Sequence, residues 1–215
     1  MTLPRVSLLL QGEHQKDPDP AAFAPGMTVL IDPLTSSSTL IVGKSVSVVD
    51  AGTPPYRGRI LARLEHEGVR PEEVEYLFIT HGHQDHYLNC GLYPNATIIT
   101  EPNVQLVGGG RCEVFDRTIA HDDWEIVPTP GHMPVQFSVV VRGLWEGEEK
   151  KIVMAGDAFR EDLWHRGYYF GPNVKPHEQR SALWALQNAD TLIPGHYRVL
   201  SKADISELLR ERSLT

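Results

Sequence analysis

The sequence His81-Gly82-His83-Gln84-Asp85-His86 places three histidines and one aspartate within six residues, directly after the apolar stretch 76–80. Imidazole nitrogens and carboxylate oxygens are ligands that divalent metal ions of borderline softness bind well. A turn that follows a strand can direct such side chains towards one point. At residue frequencies of about 0.05 for His and about 0.06 for Asp, a chance match is expected roughly once per thousand such chains. The pattern therefore predicts a metal site at this turn.

Three later positions share one format, in which an apolar run ends, a glycine follows and a ligand-type side chain comes next. These positions are Gly131-His132, Gly156-Asp157 and Gly195-His196. Glycine allows close backbone approach, which suits the edge of a crowded site. Together with the first cluster they supply five histidines and two aspartates, which are too many ligands for one tetrahedral ion.

We therefore predict two metal ions that share a carboxylate. Asp85 and His86 are neighbours whose side chains diverge from those of His81 and His83, so the two pairs are assigned to different ions. The predicted ligands are His81, His83 and His132 for the first ion, Asp85, His86 and His196 for the second, and Asp157 as the bridge.

The rest of the chain indicates alternating strands and helices. Short apolar or β-branched runs predict strands at 6–10, 28–31, 39–42, 46–49, 76–80, 97–100, 124–127, 137–141, 152–155 and 191–193. Helical periodicity predicts helices at 57–67, 179–188 and 202–212. Strands followed by helices in both halves indicate two packed sheets flanked by helices, an α+β fold in one domain spanning residues 1–215.

Composition narrows the class of protein. The chain has 215 residues, 41% hydrophobic and 22% charged, which suits a globular domain with a sizeable core. A net charge of −8 argues against an extended nucleic-acid surface. The two cysteines, Cys90 and Cys112, provide no disulfide framework and fit a reducing compartment. With no apolar run of membrane-spanning length and no signal peptide expected, we predict a cytoplasmic protein without a membrane partner.

The order His-x-His-x-Asp-His, followed by the three glycine-preceded ligands, resembles the metallo-β-lactamase fold hydrolases. The resemblance implies a four-layer αββα sandwich, and the family's dinuclear pattern matches the assignment above residue by residue. The stretch Asp50-Ala51-Gly52 resembles the family's early acidic motif, which implies that Asp50 supports the ligands from behind. Asp157 argues against β-lactam hydrolysis, because true β-lactamases of this fold lack the bridging aspartate.

Within that family, several short stretches resemble the metallo-β-lactamase domain-containing protein 1 group. These are 8–12, 80–86 with Asn89, 91–94, 129–132 with Gln136, 138–141, 155–157 and 194–196. The resemblance to this group implies an RNA phosphodiester as one substrate and therefore an endoribonuclease-like activity.

A pair of divalent ions lowers the pKa of a water held between them from about 15.7 to about 7, which predicts a bridging hydroxide as nucleophile. Asp85 is predicted to orient this hydroxide or to pass a proton to the leaving group. Zinc is the first choice of metal, with iron or manganese as alternatives, because nitrogen and oxygen ligands suit all three. The sequence thus predicts a dinuclear metal-dependent hydrolase.

The stretch 159–176, which follows the predicted bridge, is rich in aromatic and basic side chains. Such a stretch suits either a substrate-binding wall, with stacking surfaces and guanidinium groups for an anion, or the interface of a homodimer. The predicted substrate-binding residues are Arg160, Trp164, Arg166 and Tyr168. The remaining histidines, which have no motif support and are not predicted to be ligands, are His14, His66, His121, His165 and His177.

Four functions stay open at this point. The first is cleavage of short RNA, because a chain with a net negative charge can still bind and cleave at one or two nucleotides without an extended backbone contact. A small ester, thioester or lactone, as in glyoxalase II-like relatives, is the main alternative substrate. An iron-dependent redox enzyme is a third hypothesis, although members of this fold family with a diiron site usually carry an acidic residue where His83 stands. A non-catalytic metal-binding protein is the fourth.

Overall fold

The computed structural model describes residues 2–14, 33–101, 104–107, 111–114 and 121–213. Fourteen strands and five α-helices lie within them. The strands are β1 (Arg5–Leu10), β2 (Glu13–His14), β3 (Leu34–Thr35), β4 (Ser38–Val42), β5 (Val46–Val49), β6 (Tyr76–Phe78), β7 (Thr97–Glu101), β8 (Val104–Val107), β9 (Arg111–Val114), β10 (Glu125–Pro128), β11 (Phe137–Trp145), β12 (Glu148–Gly156), β13 (Thr191–Pro194) and β14 (Leu200–Ser201). The helices are α1 (Arg57–His66), α2 (Gln84–Tyr87), α3 (Glu161–His165), α4 (Pro176–Asn188) and α5 (Lys202–Glu211).

The predicted strands and helices are present within a few residues of their predicted bounds, apart from the strand at 28–31, which lies outside the described residues. The hairpin of β11 and β12 extends further than the apolar runs 137–141 and 152–155 predict. The outer half of β12 is polar, and on β11 Arg142 and Gly143 interrupt the apolar run. No helix in the described part of the chain is long and apolar enough to cross a membrane.

Twelve strands form one mixed sheet in the order β14-β13-β12-β11-β1-β4-β5-β6-β7-β8-β9, with β10 paired to β11. The two halves of this sheet are joined where β1 runs parallel to β11, through a single residue pair, Arg5 with Leu144. Strands β2 and β3 form a separate two-stranded ribbon. The predicted pair of sheets is therefore one hydrogen-bonded sheet with a narrow junction between its halves.

Alternation of side chains along the strands sorts the apolar residues into layers. Val49 of β5 and Met154 of β12 belong to one central cluster, which takes side chains from both halves of the sheet. Their neighbours Val48 and Val153 face outwards, Val48 towards α1 and Val153 towards α4 and α5. Since successive strand residues point to opposite faces, the order is helix, sheet, sheet, helix. The predicted α+β fold, a four-layer αββα sandwich, is confirmed.

Phe137 begins β11 and is fully buried in the central cluster between the two halves. Phe137→Ala is expected to lower the free energy of unfolding by about 3–5 kcal/mol, because it removes a large apolar side chain and leaves a cavity. Val135→Ala is the control, since that side chain is 42% exposed and its loss should change stability by less than about 0.5 kcal/mol. Urea unfolding followed by circular dichroism measures both, and equal values for the two variants would contradict the layered core.

The strand directions bring several loops to one edge of the sandwich. Strand β13 runs parallel to β12, and β10 and β12 are both antiparallel to β11. The carboxyl ends of β10, β12 and β13 therefore lie at the same edge, and each is followed by one glycine-preceded ligand. This edge is where the sequence places the metal site.

Candidate metal centre

Seven side chains form two groups at this edge, and within each group the potential ligand atoms lie within 4.8 Å of one another. The first group is His81, His83, His132 and Asp157, and the second group is Asp85, His86 and His196. They come from the turn after β6, helix α2 and the ends of β10, β12 and β13. The structure thus brings together all seven residues that the sequence predicts as ligands, in a position to bind a metal ion pair.

In the first group, the atom at the centre is His83 Nδ1. It lies 3.0 Å from His81 Nε2 and 2.9 Å from His132 Nε2. Asp157 completes the group, with Oδ2 at 3.4 Å from His132 Nε2. Three ring nitrogens and one carboxylate oxygen facing each other form a ligand set of the size that a tetrahedral divalent ion requires.

In the second group, Asp85 Oδ2 lies 3.2 Å from His196 Nε2 and 3.5 Å from His86 Nε2. The other oxygen of Asp157, Oδ1, lies 3.5 Å from His196 Nε2 and 3.6 Å from His86 Nε2. Asp157 therefore presents one carboxylate oxygen to each group. This is the arrangement that a carboxylate shared between two ions requires.

Buried polar atoms without partners show that the second group suits a cation. His86 Nε2 and Asp157 Oδ1 are both buried and have no hydrogen-bond partner among the residues that the structure describes. Leaving one such atom unsatisfied costs about 1–3 kcal/mol, so native structures rarely tolerate two side by side. Both are donors of electron pairs, and a divalent metal ion would satisfy them together.

Hydrogen bonds behind the ligands fix which ring nitrogen faces the site. His86 donates from Nδ1 to Asp50 Oδ2 at 2.8 Å, and His196 donates from Nδ1 to the Thr35 carbonyl at 3.1 Å. Nε2 of both rings therefore faces the site. Such outer contacts are a general feature of histidines that bind metals.

Asp50 is held in place by an unusual backbone. Its φ of 56° lies in the left-handed region, which non-glycine residues seldom occupy. Its carboxylate accepts hydrogen bonds from the Thr80 backbone N–H at 2.8 Å and the Thr80 hydroxyl at 2.9 Å, besides the one from His86. Asp50 thus locks the turn that begins the His81–His86 cluster, the supporting role that the family resemblance implies.

Asp50→Asn is expected to weaken metal binding by about 10–100-fold, because the amide cannot orient the His86 ring and raise its basicity as the carboxylate does. Competition with a fluorescent chelator measures the affinity. Asp122→Asn is the matched control, since the Asp122 side chain is 64% exposed and pairs with Lys44 away from the site. If both variants bind metal as tightly as the wild type, Asp50 has no part in metal binding.

Burial, neighbouring charges and hydrogen bonds shift the pKa values of the ligand side chains in different directions. Burial lowers the pKa of His81 to about 2, so its ring is neutral and able to ligate. Burial also lowers the pKa of His196, but the charge of Asp157 and hydrogen bonds to Asp157 and Asp85 outweigh it and raise that pKa to about 10. Although burial raises the pKa of Asp85, its hydrogen bond to His196 and nearby histidine charges bring it down to about 2. At a pKa of about 10 the His196 ring carries two protons near neutral pH, so a metal ion that binds Nε2 displaces one of them.

Of the predicted substrate-binding residues, Arg160 lies closest to the chemistry. It lines the cavity of about 450 Å³ in front of the two groups. Its guanidinium binds Asp162 in a bidentate pair, with both N···O distances 3.1 Å. Arg166 and Tyr168 are exposed and are not among the described residues that line this cavity.

Trp164 is a core residue and not a wall of the cavity. Its side chain is fully buried and packs with Phe159 and Tyr169 in the cluster beneath α4 and α5. Helix α3 turns the indole inwards, whereas the sequence of a five-residue helix is too short to show which face is apolar. The stretch 159–176 therefore divides into a packed interior and an exposed surface.

Sequence reasoning missed His14, which lines the cavity together with Leu34 and Gln84. A single histidine on a two-residue strand carries no spacing that would single it out. The other histidines without motif support, His66, His121, His165 and His177, lie outside both ligand groups.

Cys90 is a partly buried free thiol close to the cluster in sequence. Burial raises the pKa of this thiol to about 11, so it stays protonated near neutral pH. A protonated thiol is a poor nucleophile and a poor ligand. The side chain of Cys112 lies outside the described residues.

A larger groove, of about 850 Å³, lies where β12 and β13 begin, at the end of the strands opposite the metal centre. Its charged side chains bind each other: Glu67 pairs with Arg5 and Arg63, and Lys202 pairs with Asp190. Neither ligand group contributes to its walls. We place the functional site at the smaller cavity, where the potential ligands converge.

Comparisons with known proteins agree with this geometry. A model of the metallo-beta-lactamase superfamily matches residues 31–108. Metallo-beta-lactamase domain-containing protein 1 of Xenopus laevis is 31% identical over 181 residues, which cover 80% of this chain and 76% of that protein. The Mus musculus protein of the same name is 36% identical over 159 residues, and the match covers 69% of this chain but only 58% of the mouse protein. The crystal structure of a metallo-beta-lactamase candidate from Thermotoga maritima has a TM-score of 0.66 at 16% identity, covering 93% of this chain and 99% of that one.

Proposed function

Because the chain belongs to the metallo-β-lactamase superfamily, whose members are metal-dependent hydrolases, we propose that it cleaves RNA phosphodiester bonds with a pair of divalent ions. The observation that carries this proposal is the orientation of Asp157. Its Oδ2 faces the first ligand group and its Oδ1 faces the second, at 3.4–3.6 Å from the nearest ring nitrogens. A single carboxylate with one oxygen on each side suits two ions held next to each other.

The seven side chains divide the work of holding the ions. We assign His81, His83 and His132 to one ion, Asp85, His86 and His196 to the other, and Asp157 to both. Zinc fits this set of nitrogen and oxygen donors, as do iron and manganese. When bound, such a pair supplies a hydroxide nucleophile near neutral pH and neutralises charge on the group being transferred.

Asp85 is our candidate catalytic residue as well as a ligand. Its carboxylate lines the cavity, where it can orient the attacking water or take a proton from it. It can also return that proton to the leaving oxygen on the same side of the cavity. No thiol is required for this reaction, which agrees with the protonated state of Cys90.

The charge of the site favours an anionic substrate. Two divalent ions would bring four positive charges, and the carboxylates of Asp85 and Asp157 together with the hydroxide would offset three of them. Arg160 adds a guanidinium to the same cavity, although Asp162 shares its charge. A phosphodiester therefore gains more from this site than a neutral ester or lactone does. The cavity volume of about 450 Å³ suits one small group at a time, in line with cleavage of short RNA.

A substrate panel tests the proposal on the metal-loaded chain. It contains a short single-stranded RNA, the matching DNA, a thioester, an aryl ester and an acyl lactone. We expect RNA cleavage that disappears on chelation. Hydrolysis of the thioester or lactone with none of RNA would move the function to small esters. No hydrolysis of any compound by a protein loaded with two ions would favour a non-catalytic metal-binding role.

Arg160→Ala is expected to raise KM for RNA by about 10–100-fold, because a charge-assisted hydrogen bond contributes about 1.5–3 kcal/mol. Metal content should stay unchanged, since the guanidinium has no place in either ligand group. Arg142→Ala is the matched control, since the Arg142 side chain is 72% exposed and pairs with Glu149 away from the cavity, and it should leave KM unaltered. Equal effects of the two substitutions would remove Arg160 from substrate binding.

The homodimer and the cytoplasmic location stay predictions from the sequence. Tyr168 and Phe170 keep large aromatic side chains 42% and 37% exposed, while Trp164 of the same stretch is buried. This exposed pair is the surface that we propose for a contact between two copies of the chain.

A further inference from the structure

We infer that His14 is a substrate-contacting residue, whose imidazole donates a hydrogen bond to an anionic oxygen bound beside the second ligand group. The inference rests on the proposed function, because it names the side chain that recognises the charged part of the substrate. It concerns a residue that lies outside both ligand groups and that the sequence pattern does not mark.

His14 lies in the wall of the cavity in front of the two ligand groups. Its side chain lines the same cavity as Asp85, Asp157 and His196. The rings of His14 and His196 lie edge to face, with centroids 4.9 Å apart and an interplanar angle of 77°. His14 therefore forms the part of the cavity wall next to the second ligand group. A substrate bound to that group would lie against it.

The ribbon of β2 and β3 holds His14 at that wall. His14 pairs with Leu34, and Glu13 pairs with Thr35. The Thr35 carbonyl also accepts the hydrogen bond from His196 Nδ1. One short ribbon thus orients a ligand of the second group and carries His14, so the two rings keep a fixed relation to each other. Sites on rigid elements hold their geometry better than sites on free loops.

The outer end of the ribbon is fastened by the neighbouring residue. Glu13 accepts hydrogen bonds from the Tyr56 hydroxyl at 3.1 Å and from Arg59 at 3.3 Å. Because successive strand residues point to opposite faces, this anchor on Glu13 directs the His14 side chain the other way, into the cavity. The anchor therefore holds the whole ribbon, both His14 and the Thr35 carbonyl that orients His196.

The chemistry of the side chain suits an anion. A neutral imidazole retains one N–H, and that is sufficient for a charge-assisted hydrogen bond to a phosphate or carboxylate oxygen. On the neighbouring strand Leu34 contributes an apolar side chain to the same wall, so the polar contact there comes from His14. Arg160 approaches from the loop after β12. An anion in the cavity would therefore meet donors from two separate segments.

The test compares His14→Phe, His14→Gln and the wild type as zinc-loaded full-length chains. The probe is inorganic phosphate, with its affinity measured by calorimetry, and zinc content and KM for RNA are measured on the same samples. His14→Phe keeps a ring against His196 but has no N–H, and His14→Gln keeps an N–H donor. We expect His14→Phe to retain two zinc ions, to bind phosphate about tenfold more weakly and to raise KM, and His14→Gln to recover most of the loss. His165→Phe, on the exposed surface, is the control.

Two results would overturn the inference. One is phosphate binding by His14→Phe as tight as that of the wild type. The other is a loss of zinc in His14→Gln but not in His14→Phe. The ring of His14 would then support the His196 ring and not touch the substrate. The same measurements distinguish a failure of this inference from a failure of the proposed function. Phosphate binding that depends on His14 without RNA cleavage refutes the RNA substrate alone, and RNA cleavage that is indifferent to His14 refutes the inference alone.

Discussion

Asp157→Asn is expected to lower the rate of hydrolysis by about 1,000-fold and to leave one tightly bound metal ion per chain where the wild type has two. The substitution keeps the shape of the side chain but removes the charge that the two ligand groups share. A metal ion contributes several kcal/mol of transition-state stabilisation, and about 4 kcal/mol corresponds to a factor of about 1,000 in rate. The loss should therefore appear in kcat more than in KM.

Asp157 faces both ligand groups, whereas Asp85 lies in the second group. Both oxygens of Asp157 lie within 3.6 Å of ring nitrogens, and Oδ1 has no hydrogen-bond partner among the described residues. Asp122→Asn again provides the matched control, with metal content and activity unchanged. Elemental analysis by mass spectrometry and single-turnover kinetics measure the two effects. A variant that retains two ions and full activity would show that Asp157 bridges nothing.

Removal of the metal is expected to abolish hydrolysis and to lower Tm by about 10 °C. Without cations, the buried carboxylates of Asp50, Asp85 and Asp157 crowd one small volume, and His86 Nε2 has no partner among the described residues. A ligand present at 1,000 times its Kd stabilises the folded state by about 4 kcal/mol. For a domain of this length each kcal/mol shifts Tm by about 2–4 °C.

Differential scanning calorimetry before and after dialysis against a chelator measures the shift, and added Zn²⁺, Mn²⁺ or Fe²⁺ should restore both stability and activity. The same treatment of a variant that lacks ligands of both groups, His81→Ala with His196→Ala, is the control and should change Tm little. An equal Tm with and without metal, together with undiminished hydrolysis, would contradict a metal-dependent enzyme.

The ligand set could be predicted from the sequence because its signals are local. Three ligands outside the His81–His86 cluster follow a glycine, and at each of these glycines a Cβ would lie 2.6 Å or less from another atom. A Cβ on Gly195 would lie 2.2 Å from Asp157 Oδ1, and Gly156 combines a φ of 51° with a Cβ position 2.4 Å from Thr80 Oγ1. Only glycine fits these positions, so the spacing of glycine and ligand is a physical requirement that can be read along the chain.

The features that could not be predicted depend on contacts between distant segments. The bridge between the two halves of the sheet joins Arg5 to Leu144, and no local pattern marks either residue. His14 reaches the cavity because a two-residue ribbon places it against His196, far along the chain. Trp164 turns into the core because α4 and α5 offer it an apolar surface, which the sequence of α3 alone does not reveal.

Anomalous diffraction at the zinc edge, from crystals of the zinc-loaded chain, shows whether two ions share Asp157. We expect two anomalous peaks on either side of the Asp157 carboxylate, one within bonding distance of His81, His83 and His132 and the other within bonding distance of Asp85, His86 and His196. A single peak, or two peaks of which neither contacts Asp157, would contradict this arrangement.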